Sequence, residues 1–225
     1  MKVIILVLGF LFGACSSQVH PDKRQIRYYQ EIIGLYPPDL VLGFPNKIDK
    51  RADVITHFQF PRGKYLNYIH LGLSLDDNET QSLKTELVAK AKAVYHLTDS
   101  CLMTIPYDYN NFTVVFSDSL HNCNAAHILP IPHFKRWGID FSPDFYKDAT
   151  SYVLDAKQGR FLADDNLSRS GVGLPKEWLH GYTKGVTLFK NYAIYWLCLL
   201  YTSDAADDMA IRKALPSLRI MLYIG

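Results

Sequence analysis

The chain has 225 residues, of which 48% are hydrophobic, 20% charged and 13% aromatic, a composition that excludes an intrinsically disordered or collagen-like chain. Lys and Arg number 24 against 22 Asp and Glu. With no long run of one sign, this argues against a nucleic-acid-binding surface, which concentrates basic residues on a face or stripe. No apolar run reaches about 18 residues, so no membrane-spanning helix is expected, and the length predicts one domain or at most two small ones.

Met1-Lys2 leads into an apolar stretch from Val3 to Ala14, followed by Cys15-Ser16-Ser17. A positive start, a short apolar run and small residues before a polar break make a secretory signal over residues 1–14. Phe12-Gly13-Ala14-Cys15 resembles the lipobox of bacterial lipoproteins, with Phe12 where Leu is usual. The resemblance implies that Cys15 becomes the first mature residue and carries acyl chains. The same resemblance implies that Ser16, rather than Asp, after the Cys favours the outer membrane over the inner one. No acidic cluster follows Cys15, which fits a domain facing the periplasm. An ordinary signal peptide with a chance Cys is the alternative.

Residues 15–21 then form the lipidated Cys and a short tether. Asp22 to Gly34 is predicted to be a helix, with Asp22 as cap, Gln25 three residues on, and Ile26, Tyr29, Ile32 and Ile33 on one face. Gly34 and Pro37-Pro38 stop it. Asp53–Phe60 and Tyr65–Leu75 read as strands around the Pro61-Arg62-Gly63 turn, hence a hairpin. Asp76-Asp77-Asn78-Glu79 suits a helix start. Leu83, Leu87, Ala91, Val94 and Tyr95 carry helical spacing over residues 79–97.

Phe112–Phe116 is a short predicted strand. The stretch 118–150, with Pro130, Pro132 and Pro143, reads as an irregular connection. Tyr152–Leu154 and Arg160–Leu162 flank an expected turn at Asp155–Gly159. Gly185–Phe189 and Tyr192–Leu197 flank a two-residue turn at Lys190-Asn191. The fold class is therefore α+β: an antiparallel sheet built from hairpins, with two amphipathic helices at about 22–34 and 79–97.

Cys198-Leu199-Leu200-Tyr201-Thr202-Ser203-Asp204-Ala205-Ala206-Asp207 resembles the translated mosaic end of a transposase-based sequencing adapter. The resemblance implies that native coding ends near Leu197, with one α+β domain over 22–197 and a non-native tail over 198–225. On this reading the last strand is cut short as an edge strand, an aggregation risk. It also leaves open that the domain is the N-terminal part of a longer protein.

Cys101 and Cys123 remain as an even pair in an exported domain, which suggests a disulfide; two buried free thiols are the alternative. Asp118, His121, His127 and His133 make a polar cluster around Cys123, but their spacing matches no standard zinc module, so no metal and no cofactor is expected. A small hydrolase with a Cys/His or Ser/His site in 118–133 is the enzymatic alternative, although no Gly-x-Ser-x-Gly motif is present. Asp76-Asp77 and Asp164-Asp165 are adjacent pairs, which suit caps and turns better than acid/base partnership. Trp137, Tyr146, Trp178 and Tyr182 belong to an aromatic-rich second half that would suit a glycan or protein partner if exposed; core packing is the other reading.

Tyr152-Val153-Leu154-Asp155-Ala156-Lys157, His180-Gly181-Tyr182-Thr183-Lys184-Gly185-Val186 and Tyr195-Trp196 are similar to the endings of small bacterial lipoproteins with no assigned activity. The expectation is a lipid-anchored envelope protein that binds or assists, with the membrane as its first partner and no nucleic acid.

Overall fold

In the computed structural model the described residues are 23–48, 52–58, 68–105, 107–108, 113–114, 123, 127–135, 141–159, 178 and 181–200, with backbone alone for 52–58, 68, 107–108 and 113–114. Asp22 and Asp164-Asp165 lie outside them.

Six strands form one antiparallel sheet: β1 (Ala52–Phe58), β2 (Tyr68–Ser74), β3 (Ala93–His96), β8 (Thr150–Lys157), β9 (Tyr182–Phe189) and β10 (Tyr192–Leu199). Their spatial order is β1-β2-β10-β9-β8-β3. The α+β class holds, and β1 and β2 pair antiparallel as the hairpin reading requires. The β9–β10 hairpin closes over Lys190-Asn191, with Tyr192 opposite Phe189. Lys190 has φ 51°, the left-handed conformation that tight hairpin turns require of their first central residue.

Four expectations are corrected. First, β10 is not an edge strand; it sits between β2 and β9 at the centre of the sheet. It also continues past Leu197, with Cys198, Leu199 and Leu200 buried and the Leu200 N–H bonded to the Gly181 carbonyl at 2.9 Å. Cys198 pairs with Tyr68 on β2 and Thr183 on β9, and Leu199 with Tyr182 on β9. Second, the helix expected over 79–97 ends early. The helix α3 is Asp77–Lys90, and β3 follows at once.

Third, Asp155 is not a turn residue, because β8 runs on to Lys157. Fourth, the stretch 118–150 is not wholly irregular. It holds a short strand, β7 (Pro130–Ile131), and a short helix, α4 (Pro143–Asp148), begun by proline.

One face of the sheet is covered by helices. The helix α1 (Lys23–Ile33) buries Tyr29 and Ile32 against Ile69, Leu71, Leu197 and Leu199. Gly34 closes α1 through a bond to the Gln30 carbonyl, and the one-turn helix α2 (Pro38–Val41) restarts after Pro37. Alongside, α3 lays Leu87 over Tyr152, Val186, Leu188 and Ala193. Asp76 caps α3 by accepting from the Glu79 N–H at 2.8 Å, while the Glu79 carboxylate accepts from the Asp76 N–H at 2.9 Å.

The opposite face is covered by chain between β3 and β8. There β4 (Met103–Thr104) pairs parallel with β7, and Met103, Ile131, Phe134, Phe145 and Trp178 pack on Val153, Ile194 and Trp196. Thr183 ties this layer to the sheet by donating to the Pro130 carbonyl at 2.7 Å. Cys101 and Cys123 are joined, with Cα atoms 5.8 Å apart, so they close the rim of this layer. The two-residue strands β5 (Tyr107–Asp108) and β6 (Thr113–Val114) pair separately, the latter within the expected strand at 112–116.

Candidate functional site

A polar seam lies on the helical face, and a β-bulge creates it. Register between β8 and β9 shifts between Val153 and Asp155. Val153 therefore faces the layer of Phe134 and Phe145, while Leu154 packs on the α3 side. Without the bulge, Asp155 would alternate back to the Val153 side. The extra residue keeps it on the helical face, opposite Lys184.

Asp155 is then held from two sides. Lys92 pairs with its Oδ1, and the Tyr182 hydroxyl donates to its Oδ2 at 2.5 Å. Lys184 points at the α2 segment instead. Its ammonium donates to the Asp39 carbonyl at 2.5 Å and to the Leu42 carbonyl at 3.3 Å. A cation on the last carbonyls of a helical turn satisfies acceptors the turn cannot.

The electrostatics follow from these contacts. Desolvation pushes the Asp155 carboxyl up, but hydrogen bonds from Lys92 and Tyr182 and the charges of Lys92 and Lys184 outweigh it, so its pKa lies below the ordinary value. Burial, then the hydrogen bond and charge of Asp155, push the Tyr182 phenol up. Burial lowers Lys184, with Asp155 and Asp39 opposing. A carboxylate held ionised and doubly bonded is a poor proton acceptor at neutral pH. The seam is thus built to fix α2 to the sheet, not to move protons.

Beside it lies a shallow cleft lined by Leu42, Phe44, Leu154, Lys184, Val186 and Tyr195. It is too narrow to seat a water molecule. Replacing Lys184 by Met is expected to lower stability by about 2 kcal/mol, because two carbonyls lose a charged donor. The expected signature is local: amide exchange should quicken over 38–45 more than in β9. Unchanged exchange there would sink the clamp assignment.

Asp118, His121 and Trp137 lie outside the described residues. His127 is exposed and His133 half-buried. Among the described residues no three His, Cys, Asp or Glu side chains gather as metal ligands do. Cys123 is bonded to Cys101, so its sulfur is no thiolate nucleophile in this state. Ser151 is fully buried and hydrogen-bonds Thr187 at 2.7 Å, not a histidine or carboxylate.

The aromatic-surface expectation is corrected. Trp178 is 4% exposed and packs with Phe134 and Phe145, whereas Tyr182 is 8% exposed and packs with Tyr29 and Leu71. They lie on opposite faces of the sheet and form no patch. Tyr146 is half-buried with its ring 5.3 Å from Phe145. Nothing local in the sequence marks Lys92, Asp155 and Lys184 as one cluster. The one available signal was Lys184, a lone charge in an apolar strand. Compared with known families, curated proteins and solved structures, the chain matches none.

Proposed function

We propose that this chain is a lipid-anchored protein of the bacterial envelope, attached to the outer membrane through Cys15, facing the periplasm, and acting by binding or assistance rather than catalysis. The observation that carries the reading is Phe12-Gly13-Ala14-Cys15 at the point where the apolar run meets polar residues. The Cys101–Cys123 bridge suits an oxidising compartment. The polar seam also supports a non-catalytic role, since its lysines, carboxylate and phenol are engaged with one another or with backbone carbonyls.

The test is the mass of the mature N-terminal peptide after expression of the full chain in a bacterium with an outer membrane. The expected peptide begins at Cys15 and carries acyl chains, and the protein sediments with membranes. Cys15→Ala should remove the acyl mass and leave the precursor uncleaved. An N-terminal peptide that begins elsewhere, or begins at Cys15 without acyl chains, overturns the reading.

A further inference from the structure

Cys101–Cys123 is a surface bridge: Cys101 is exposed and Cys123 half-buried, whereas the free Cys198 is buried inside the sheet. The chain leading into Cys101 is exposed from Thr98 to Ser100 and is fixed as a turn. The Asp99 N–H donates to the His96 carbonyl at 3.0 Å, and the His96 N–H donates to the Asp99 carboxylate at 2.8 Å. The chain leaving Cys101 goes straight into the core. Leu102, Met103 and Ile105 are buried, and the Ile105 N–H donates to the Ile131 carbonyl at 2.9 Å.

A bridge is indispensable where nothing else holds the chain beside it. The Cys101 side does not need it. There β4 is held by its ladder to β7 and by the packing of Met103, and β7 is tied to the sheet by Thr183 through the Pro130 carbonyl. None of these contacts runs through a sulfur atom, so all of them can persist when the bridge opens. Exposed disulfides are also the labile ones, because a thiolate reaches them without unfolding the chain. The reduced state has an acceptor ready: Cys123 Sγ lies 4.0 Å from the Ser100 carbonyl, within reach of a weak S–H donor.

We propose that Cys101–Cys123 is a thiol–disulfide exchange site of the folded domain, opened by a dithiol protein that attacks at Cys101. The partner's thiolate bonds to Cys101 Sγ. The Cys101–Cys123 bond breaks, its electron pair leaves on Cys123 Sγ, and that sulfur takes a proton from water beside the Ser100 carbonyl. The partner's second thiolate then attacks the partner sulfur of the mixed disulfide and releases Cys101, which is protonated in turn. Two electrons pass: the partner's dithiol is oxidised to a disulfide and this bridge is reduced to two thiols. The reverse steps re-form the bridge.

The polarity follows from exposure. Cys101 is the open end, and Cys123 is the half-buried leaving group. A dithiol suits the site better than a monothiol, because its second sulfur resolves the mixed disulfide at the effective concentration of a tethered group. The inference goes beyond the anchor reading and does not rest on it, since Cys15 takes no part.

The full oxidised chain in native buffer tests it. Dithiothreitol should make Cys101 and Cys123 alkylatable without urea, while the Ile105 amide stays protected from exchange. A thioredoxin whose resolving cysteine is replaced by serine should accumulate as a mixed disulfide, and peptide mapping should place it on Cys101. In the single variants, the Cys101 thiol left by Cys123→Ser should react with an aromatic disulfide reagent at least about tenfold faster than the Cys123 thiol left by Cys101→Ser, because access governs the rate.

Reduction that begins only at urea concentrations that unfold the chain overturns the proposal and makes the bridge a sealed staple. Loss of Ile105 protection on reduction overturns it too, since the bridge would then build the layer. A bridge that dithiothreitol opens but the thioredoxin does not trap, a trap on Cys123, or equal reactivity of the two thiols overturns the assignment of a protein dithiol attacking Cys101. The reduction and trapping measurements use the unsubstituted chain, so they decide the matter even where a cysteine variant fails to fold.

Discussion

Trp196→Ala is expected to lower the free energy of unfolding by about 3–5 kcal/mol, the cost of a large buried aromatic and the cavity it leaves. Trp196 is fully buried at the centre of the sheet, between His70 on β2 and Gly185 on β9. Its ring occupies the space that Gly185 leaves. A Cβ at 185 would overlap both the Trp196 ring and the Tyr152 carbonyl. The indole N–H donates to Thr187 Oγ1 at 3.1 Å, and Thr187 shares a hydrogen bond with Ser151. Three strands are therefore linked through this one side chain.

On the sheet side its neighbours are strand backbone and Gly185, and on the other side large side chains such as Met103, Phe134 and Phe145, close-packed groups with little capacity to collapse into the void. Trp196→Phe keeps much of the volume, loses the N–H, and should cost about 1–2 kcal/mol. Urea midpoints at unchanged m-value measure both. A loss below about 1 kcal/mol for the Ala variant would mean that the sheet centre relaxes around the hole, contrary to this account.

The same strands illustrate what a sequence reveals. The β9–β10 hairpin was legible because both runs are apolar and the two-residue break at Lys190-Asn191 sets the register locally. The start of α3 was legible too, since Asp76 and Glu79 sit three apart and satisfy each other's backbone donors. Its end was not. Ala91, Val94 and Tyr95 fit a helical period, yet Ala93 and Tyr95 also alternate with Val94 and His96. A partner 50 or more positions away decided between the two patterns: β3 pairs with β8, and the Lys92 N–H bonds the Val153 carbonyl at 2.8 Å.

The polar seam was illegible for a related reason. Asp155 beside a glycine looks like a turn, and only the β8–β9 pairing with its bulge turns it toward Lys184 and Tyr182. Tyr182 and Trp178 are equally ambiguous in sequence. Both are amphipathic, and burial on either face suits them once the polar tip has a partner, as Tyr182 has in Asp155. Side chains whose role depends on strand pairing carry no local signature, whereas caps and tight turns do.

Acidification is expected to destabilise the fold well before its carboxylates titrate, and His70 is the reason. It sits on β2 at 1% exposure, with the Phe141 ring roughly parallel at 6.4 Å and the Phe134 ring edge-on at 6.4 Å. Burial among these rings lowers its pKa from 6.5 to about 3. The folded state therefore keeps His70 neutral while the unfolded chain takes up a proton, so unfolding gains from acid. The stability contribution is complete above pH 6.5 and is lost progressively as the pH falls to about 3. The slope approaches about 1.4 kcal/mol per pH unit, and the full loss is on the order of 4 kcal/mol.

Asp155 acts in the same direction but later. Its lowered pKa means stability present above the ordinary carboxylate value and lost as the pH falls through the folded value. Between pH 6.5 and 5 the two effects separate. His70→Leu should flatten the urea-derived stability curve there by close to one proton, whatever it costs at neutral pH. Parallel curves for the two proteins would show that His70 protonates in the folded state. The ring layer formed by Phe134 and Phe141 would then have to admit water or a counter-charge that a closed core excludes.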